Sequence, residues 1–219
     1  MVDANAEPSF ATAPETAAYY EARAAEYDDW YTGDGLFADR DRPGWREDVE
    51  AIVGVVATLP PARTLDVACG TGFLTRHLRG LAVGLDQSST MVAIAQSRLH
   101  SGVAIIGDAL ALPFADGSFD RVVTGHFYGH LPEPERARFL AEARRVAPEL
   151  IVIDSAPRPD LPRAHMSPRV LSDGSRHEVY KRYLTAAEIA AEVGGPGGFG
   201  DAEPVYDGNW FAIARATAR

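Results

Sequence analysis

The residues best suited to chemistry cluster around a glycine corner. Thr64-Leu65-Asp66-Val67-Ala68-Cys69 reads as an apolar strand, with Leu65, Val67 and Cys69 on one side and Asp66 and Ala68 on the other. It breaks at Gly70-Thr71-Gly72, and a helical pattern resumes over 73–79. Glycines remove the Cβ atoms that would hold a ligand away from the backbone. A helix start adds unpaired N–H groups and the positive end of a dipole. Strand, glycine turn and helix start together make a cradle for a nucleotide-type ligand. It is not the dinucleotide fingerprint G-x-G-x-x-G/A, because Thr75 stands at the last position. Nor is it a P-loop, because no lysine follows the glycines. Further along, Leu81-Ala82-Val83-Gly84-Leu85-Asp86 reads as a strand ending in an acid 20 residues beyond Asp66, and Gly107-Asp108-Ala109 closes an apolar run at 103–106.

Four blocks carry a resemblance to a known family. They are Leu65-Asp66-Val67-Ala68-Cys69-Gly70-Thr71-Gly72, the strand ending at Asp86, Gly107-Asp108-Ala109, and Leu112-Pro113-Phe114-Ala115-Asp116-Gly117-Ser118-Phe119-Asp120 followed by Arg121-Val122-Val123-Thr124-Gly125-His126. In this order and spacing they resemble the class I S-adenosylmethionine (SAM) methyltransferases of the small-molecule, UbiE/methyltransferase-11-like type. Ala68-Cys69 replaces the common Gly-Cys pair. The resemblance covers about 60–155 and implies roles. Asp66, Ala68, Gly70, Thr71 and Gly72 would meet the amino-acid end of the cofactor. Asp86, with Gln87 and Met91 after it, would hold the ribose, whose two hydroxyls one carboxylate can accept. Asp108 and Ala109 would face the adenine, and Thr124 and His126 would close the cofactor site. Tyr20-Glu21-Ala22-Arg23-Ala24-Ala25-Glu26-Tyr27-Asp28 resembles the N-terminal lid helix of such enzymes, which places Tyr20 and Tyr27 over the methionine end.

His126 follows the fourth strand, where a transferred methyl group would lie. An unperturbed imidazole titrates near neutrality, so His126 is a candidate general base, with Tyr128 in the same loop as the alternative and a positioning or core role also open. His126 and His130 stand four apart, but no third ligand has a clear spacing and Gly129 and Pro132 interrupt a helix, so no metal is expected. For the acceptor, Tyr31, His130, His165, Arg169 and Tyr180 are the candidates. Histidine and arginine there suit a polar or anionic molecule.

The elements that must position these groups alternate regularly. A helix is expected from Pro14 to Tyr31 and another from Trp45 to Thr58, then strands at 82–86, 103–107, 119–125 and 149–154, with helices over 88–100 and 134–146. Continuously apolar strands between amphipathic helices indicate a parallel sheet covered on both faces. Over 155–183 the pattern lapses, and Pro157, Pro159, Pro162 and Pro168 argue against a central strand or long helix. Such a stretch is usually functional. Thr185-Ala186-Ala187-Glu188 reads as a capping box, and 202–206 with 209–216 as a closing antiparallel pair. The resemblance implies a Rossmann-like α/β fold with a seven-stranded, mostly parallel sheet in the order 3-2-1-4-5-7-6. The expected organisation is a disordered stretch over 1–12, a helical cap over 13–59, and a cofactor-binding core over 60–219 with 155–184 as the acceptor-recognition insert.

The chain has 219 residues, a formal net charge of −10, 46% hydrophobic and 24% charged residues, and one cysteine. The negative balance argues against a nucleic-acid partner, and the lone Cys69 precludes an intrachain disulfide. No apolar run approaches the length of a membrane span, and 1–5 lacks the features of a signal peptide, so a cytoplasmic protein, monomer or homodimer, is expected. The reading is methyl transfer from SAM to a small molecule by in-line displacement, with O- or N-methylation favoured and S-adenosylhomocysteine as product. The rivals are a protein or RNA methyltransferase on the same fold, which lacks its Asn/Asp-Pro-Pro-Tyr type motif after the fourth strand, and a SAM-binding protein without activity.

Overall fold

The computed structural model describes residues 10, 11 and 13–218. Seven strands form one sheet in the order β3-β2-β1-β4-β5-β9-β8, and β6 and β7 form a separate hairpin. The parallel strands are β1 (Ala62–Val67), β2 (Gly80–Asp86), β3 (Gly102–Ile106), β4 (Arg121–Gly125) and β5 (Glu149–Ser155); β8 (Gly200–Asp207) and β9 (Phe211–Ala218) close the sheet antiparallel. The chain runs outward from β1 to β3, then returns to β4 on the other side of β1. Ligands in such sheets bind beyond the carboxyl ends of the strands at this reversal.

Side-chain alternation splits the core into two layers. Leu150 and Val152 join the layer containing Leu65, Val122 and Phe139; Ile151 and Ile153 join the layer containing Trp45, Phe73 and Ile213. A strand buried on both faces has no place for a polar side chain, which is why 150–153 is continuously apolar. Burying each such side chain contributes roughly 1.5–3 kcal/mol. The helices are α1 (Pro14–Arg23), α2 (Asp29–Thr32), α3 (Trp45–Thr58), α4 (Ser89–Arg98), α5 (Glu133–Val146) and α6 (Ala186–Val193). Ser88 caps α4 by accepting from the Met91 N–H at 3.1 Å, and the Thr185–Glu188 capping box opens α6. Among the described residues no helix is long and apolar enough to cross a membrane.

Three local expectations are corrected. The helix expected over 73–79 is only a single 3₁₀ turn, Thr75–His77, because β2 already begins at Gly80. The helix expected from Pro14 to Tyr31 breaks after Arg23 into a 3₁₀ turn and the short α2. There Asp28 accepts from Thr71 Oγ1 at 2.5 Å and pairs with Arg98 at 2.6 Å. These tertiary bonds hold the chain on the glycine corner instead of in continuous helix. The irregular stretch over 155–183 contains an antiparallel hairpin, β6 (Ala164–Val170) with β7 (Arg176–Arg182). Pro168 is tolerated because a two-stranded sheet consists only of edges, where a missing N–H costs no ladder bond. The disorder expected over 1–12 falls mostly outside the described residues, but Phe10 is buried, its ring stacked on His130 at 4.5 Å.

Candidate functional site

Beyond the tips of β1, β2, β3 and β4 lies a cleft of about 250 Å³, lined on its polar side by Gly70, Asp86, Gln87 and Asp108. Gly70 has φ +54, and a Cβ there would stand 3.3 Å from the Tyr27 ring, so the corner takes glycine for both conformation and room. Asp86 is buried, and its two carboxylate oxygens accept from the Gly70 and Ser88 N–H groups, each at 2.9 Å. Burial raises its pKa against the backbone N–H groups of Ser88, Gly70 and Gln87. Its oxygens retain acceptor capacity for a pair of hydroxyls. Asp108 accepts from the Leu110 N–H at 2.7 Å. Ile106, 61% exposed at the end of β3, and Phe127 offer apolar walls on which a flat ring can lie.

Of the predicted cofactor residues, Tyr20, Tyr27, Ala68, Gly70, Asp86, Gln87, Asp108, Ala109 and His126 line this cleft. Asp66, Thr71, Gly72, Met91 and Thr124 do not; they support it from behind. Thr71 bonds Asp28, Met91 is fully buried in the core, and Thr124 donates to the Val67 carbonyl at 2.8 Å. Gly72 has φ +75, and a Cβ there would stand 3.1 Å from Ala95 Cα of α4. Asp66 accepts from Thr75 Oγ1 at 2.6 Å, and burial pushes its pKa up to about 7. A carboxyl whose native pKa lies above its unfolded value binds its proton more tightly when folded. Its stabilising contribution is therefore present at low pH and is lost as pH rises from about 4, the unfolded value, toward 7. Asp66→Asn should flatten this fall, seen as a smaller drop in Tm between about pH 5 and 8 than in the parent.

Tyr20 and Tyr27 arrive from the N-terminal segment, which a carboxylate fastens down. Glu21 accepts from Ser88 Oγ at 2.6 Å, from Ser89 Oγ at 2.9 Å and from the Thr90 hydroxyl, at the start of α4. The Ser88 and Thr90 hydroxyls hold its pKa down to about 2, and the positive end of the helix favours the same charge. Glu21→Gln should speed amide exchange over 14–23 about fivefold, the equivalent of roughly 1 kcal/mol of local opening. Unchanged exchange would show that the latch is not closed in solution.

Across Tyr20, Tyr27 and His126, which face both spaces, a second and larger chamber opens. His126 has φ +58, a conformation that non-glycine residues adopt mostly where surroundings impose it. Its ring lies among Trp30, Tyr31 and Phe211 at 4.7, 5.6 and 5.1 Å, and neither ring nitrogen has a hydrogen-bond partner among the described residues. Burial pushes its pKa down to about 3, so the imidazole is neutral at physiological pH. Tyr128 is not at the site: its hydroxyl donates to Glu192 at 3.0 Å.

Of the acceptor candidates, His130 and Arg169 line the second chamber. His130 Nδ1 donates to the Tyr180 carbonyl at 2.5 Å, which leaves Nε2 as the acceptor nitrogen. Tyr180 contributes that carbonyl, Tyr31 stacks on Phe73 at 3.8 Å, and His165 lies against Tyr183; the structure does not bring these three side chains into the chamber lining. Sequence reading missed Arg42, Trp30 and Trp45, which line it, and gave Arg23 only a place on the lid helix and Lys181 only a place in the acceptor-recognition insert; both line it too. The signal for Arg23 was its place one helical turn from both Tyr19 and Tyr27; its guanidinium accordingly lies 4.9 Å from the Tyr27 ring centre. Among the described residues no group of three His, Cys, Asp or Glu side chains is placed to hold a metal.

Comparison with known proteins agrees with this geometry. Residues 65–149 match the family model described as a methyltransferase domain. The chain is 41% identical over 107 residues to a demethylmenaquinone methyltransferase of Thermotoga maritima, covering 47% of this chain and 44% of that one. It is 39% identical over 135 residues to that of Renibacterium salmoninarum, covering 60% and 54%. The chain thus spans about half the length of these curated relatives. Among solved structures, the complex of DhpI with SAH superposes with a TM-score of 0.72 at 23% identity, over 93% of this chain and 95% of that one. The sheet order equals the expected 3-2-1-4-5-7-6 once the two hairpin strands are counted in chain order. Residues 65–149 therefore match a methyltransferase domain, in a chain that has the fold of the class I SAM-dependent methyltransferases.

Proposed function

We propose that this chain transfers a methyl group from SAM to a small molecule. The observation that carries the reading is the meeting of two cavities at Tyr20, Tyr27 and His126, one with the glycine corner and strand-tip acids, the other walled by aromatic and cationic side chains. The residues of the first fit the cofactor. Gly70 admits close approach, Asp86 keeps lone pairs for two ribose hydroxyls, and Ile106 and Phe127 border a slot for adenine with Asp108 at its edge. When bound, the cofactor supplies an electrophilic methyl carbon on a sulfonium sulfur.

The chain's own part is alignment and exclusion of water. Tyr20 and Tyr27, latched down through Glu21, cover the junction, so the acceptor approaches only from the second chamber. His126 presents two unpartnered nitrogens at that junction. Its burial disfavours the imidazolium, so it orients an acceptor O–H or N–H by accepting from it and does not store its proton. None of the six cationic residues of the second chamber lies within 65–149, so the acceptor named in the relatives does not carry over with the domain match. The test is to incubate the protein and methyl-labelled SAM with a cell extract divided by size. Label in the small-molecule fraction is expected. Label in protein or RNA, or tight SAM binding with no transfer, would overturn the reading.

A further inference from the structure

We infer that the acceptor carries an oxyanion, held between Arg23 and Arg169 on the far side of Tyr20 from the cofactor cleft. The inference rests on the methyl-transfer reading only in calling the occupant an acceptor.

The second chamber is lined by six cationic side chains and three carboxylates, in a chain whose formal charge is −10. Its charge is therefore the reverse of the molecule's. Not all of those cations are free to act on a ligand. Lys181 is neutralised by Asp154, and Arg158 pairs with Asp160 at 3.4 Å. Arg40 lies at the exposed rim, and Arg42 is engaged with the Trp30 carbonyl at 2.9 Å and with the face of Trp45. Like Arg42, Arg23 and Arg169 have no carboxylate partner among the described residues, and unlike Arg42 neither has its guanidinium bonded to a backbone carbonyl. Arg23 is half-buried, and its hydrogen-bond partner is the Tyr19 hydroxyl at 2.7 Å, a neutral group. Arg169 is half-buried on β6, and among the described residues no carboxylate or hydrogen-bond acceptor is paired with it.

The two arrive from opposite sides. Arg23 ends α1, whereas Arg169 stands on the hairpin face it shares with Lys181, opposite His177 in the register. Both line the chamber together with Tyr20, the residue that also faces the cofactor cleft. Two guanidinium groups lining one chamber with aromatic walls, with no ion-pair partner among the described residues, leave positive charge there uncompensated in a medium that screens poorly. An anion accepting from both compensates that charge, and the planar fork of arginine suits carboxylate and phosphoryl oxygens alike. Trp30, Trp45 and Tyr27 supply flat apolar surface for the rest of the molecule. The occupant is thus an oxyanion on a compact, ring-bearing body.

The test titrates the full chain, saturated with S-adenosylhomocysteine, with phenyl phosphate, sodium benzoate and benzyl alcohol by calorimetry. One of the two anions should bind at least about tenfold more tightly than the alcohol, and Arg169→Met should remove that advantage while changing S-adenosylhomocysteine affinity less than about twofold. A preference for phenyl phosphate assigns a phosphoryl-type group, and one for benzoate a carboxylate. If Arg169→Met does not fold, Arg23→Met or the loss of the advantage at high salt serves instead. An anion advantage below tenfold, or one that survives the substitution, overturns the inference. Should S-adenosylhomocysteine itself fail to bind, the cofactor reading falls, while the same titrations on the free protein still decide the anion site.

Discussion

Replacing Asp86 with alanine is expected to weaken S-adenosylhomocysteine binding at least about tenfold, or ~1.4 kcal/mol, by calorimetry. The carboxylate does two things at once. It accepts from the Gly70 N–H, which holds the corner in shape, and from the Ser88 N–H, which seats the start of α4. It also lines the cleft, where its oxygens retain acceptor capacity for a ligand. Alanine loses both functions, and a hydrogen bond to a charged group is worth roughly 1.5–3 kcal/mol. Asp86→Asn separates them, because an amide retains the size but offers one acceptor oxygen and two donors. Its loss of affinity should fall between those of the parent and the alanine variant. Unchanged affinity in Asp86→Ala would remove Asp86 from the ribose and leave it as a structural cap.

The largest effect on stability is expected from Lys181→Met. Lys181 is 3% exposed and Asp154 1% exposed, and the two are ion-paired. Asp154 also accepts from the Gly129 N–H at 2.7 Å, which fastens the loop after β4 to the end of β5 beside His126. Burial opposes ionisation of Asp154, but Lys181 outweighs it and holds the carboxyl below its ordinary value. Methionine would leave that charge without its partner, and breaking one side of a buried pair costs about 3–5 kcal/mol. In a chain of this size that corresponds to a fall of about 10 °C in Tm. Adding Asp154→Asn should recover part of the loss, because the stranded charge is then gone. A single substitution that shifts Tm by less than about 2 °C would show that the pair is hydrated and open in solution.

The strand tips were legible in the sequence because their signals are local. An apolar run, a break at Gly70-Thr71-Gly72 and acids at the ends of β2 and beyond β3 survive in linear text, and Asp86, Asp108 and His126 fall around one cleft as their order requires. What misled was local pattern overruled by distant contacts. The residues after Gly72 look helical, yet the start of β2 at Gly80 leaves space for one turn. The N-terminal segment looks like one helix, yet Asp28 is drawn to Thr71 and Arg98. Of the hairpin, β6 was hidden by Pro168, whose cost vanishes on an edge. Tyr128 has the right chemistry in the right loop, but its hydroxyl is taken by Glu192. The acceptor chamber was the least legible part. Nothing in the order of residues tells that Lys181 will be neutralised by Asp154 while Arg23 and Arg169 find no ion-pair partner among the described residues.

A crystal structure of the protein with S-adenosylhomocysteine decides whether the glycine corner and strand-tip acids hold the cofactor. The ribose hydroxyls are expected on Asp86, the adenine between Ile106 and Phe127 with Asp108 at its edge, and the sulfur directed past Gly70 toward His126 and the second chamber. The ligand lying elsewhere, or in this cleft with its sulfur turned away from the Tyr20–His126 junction, would contradict that placement.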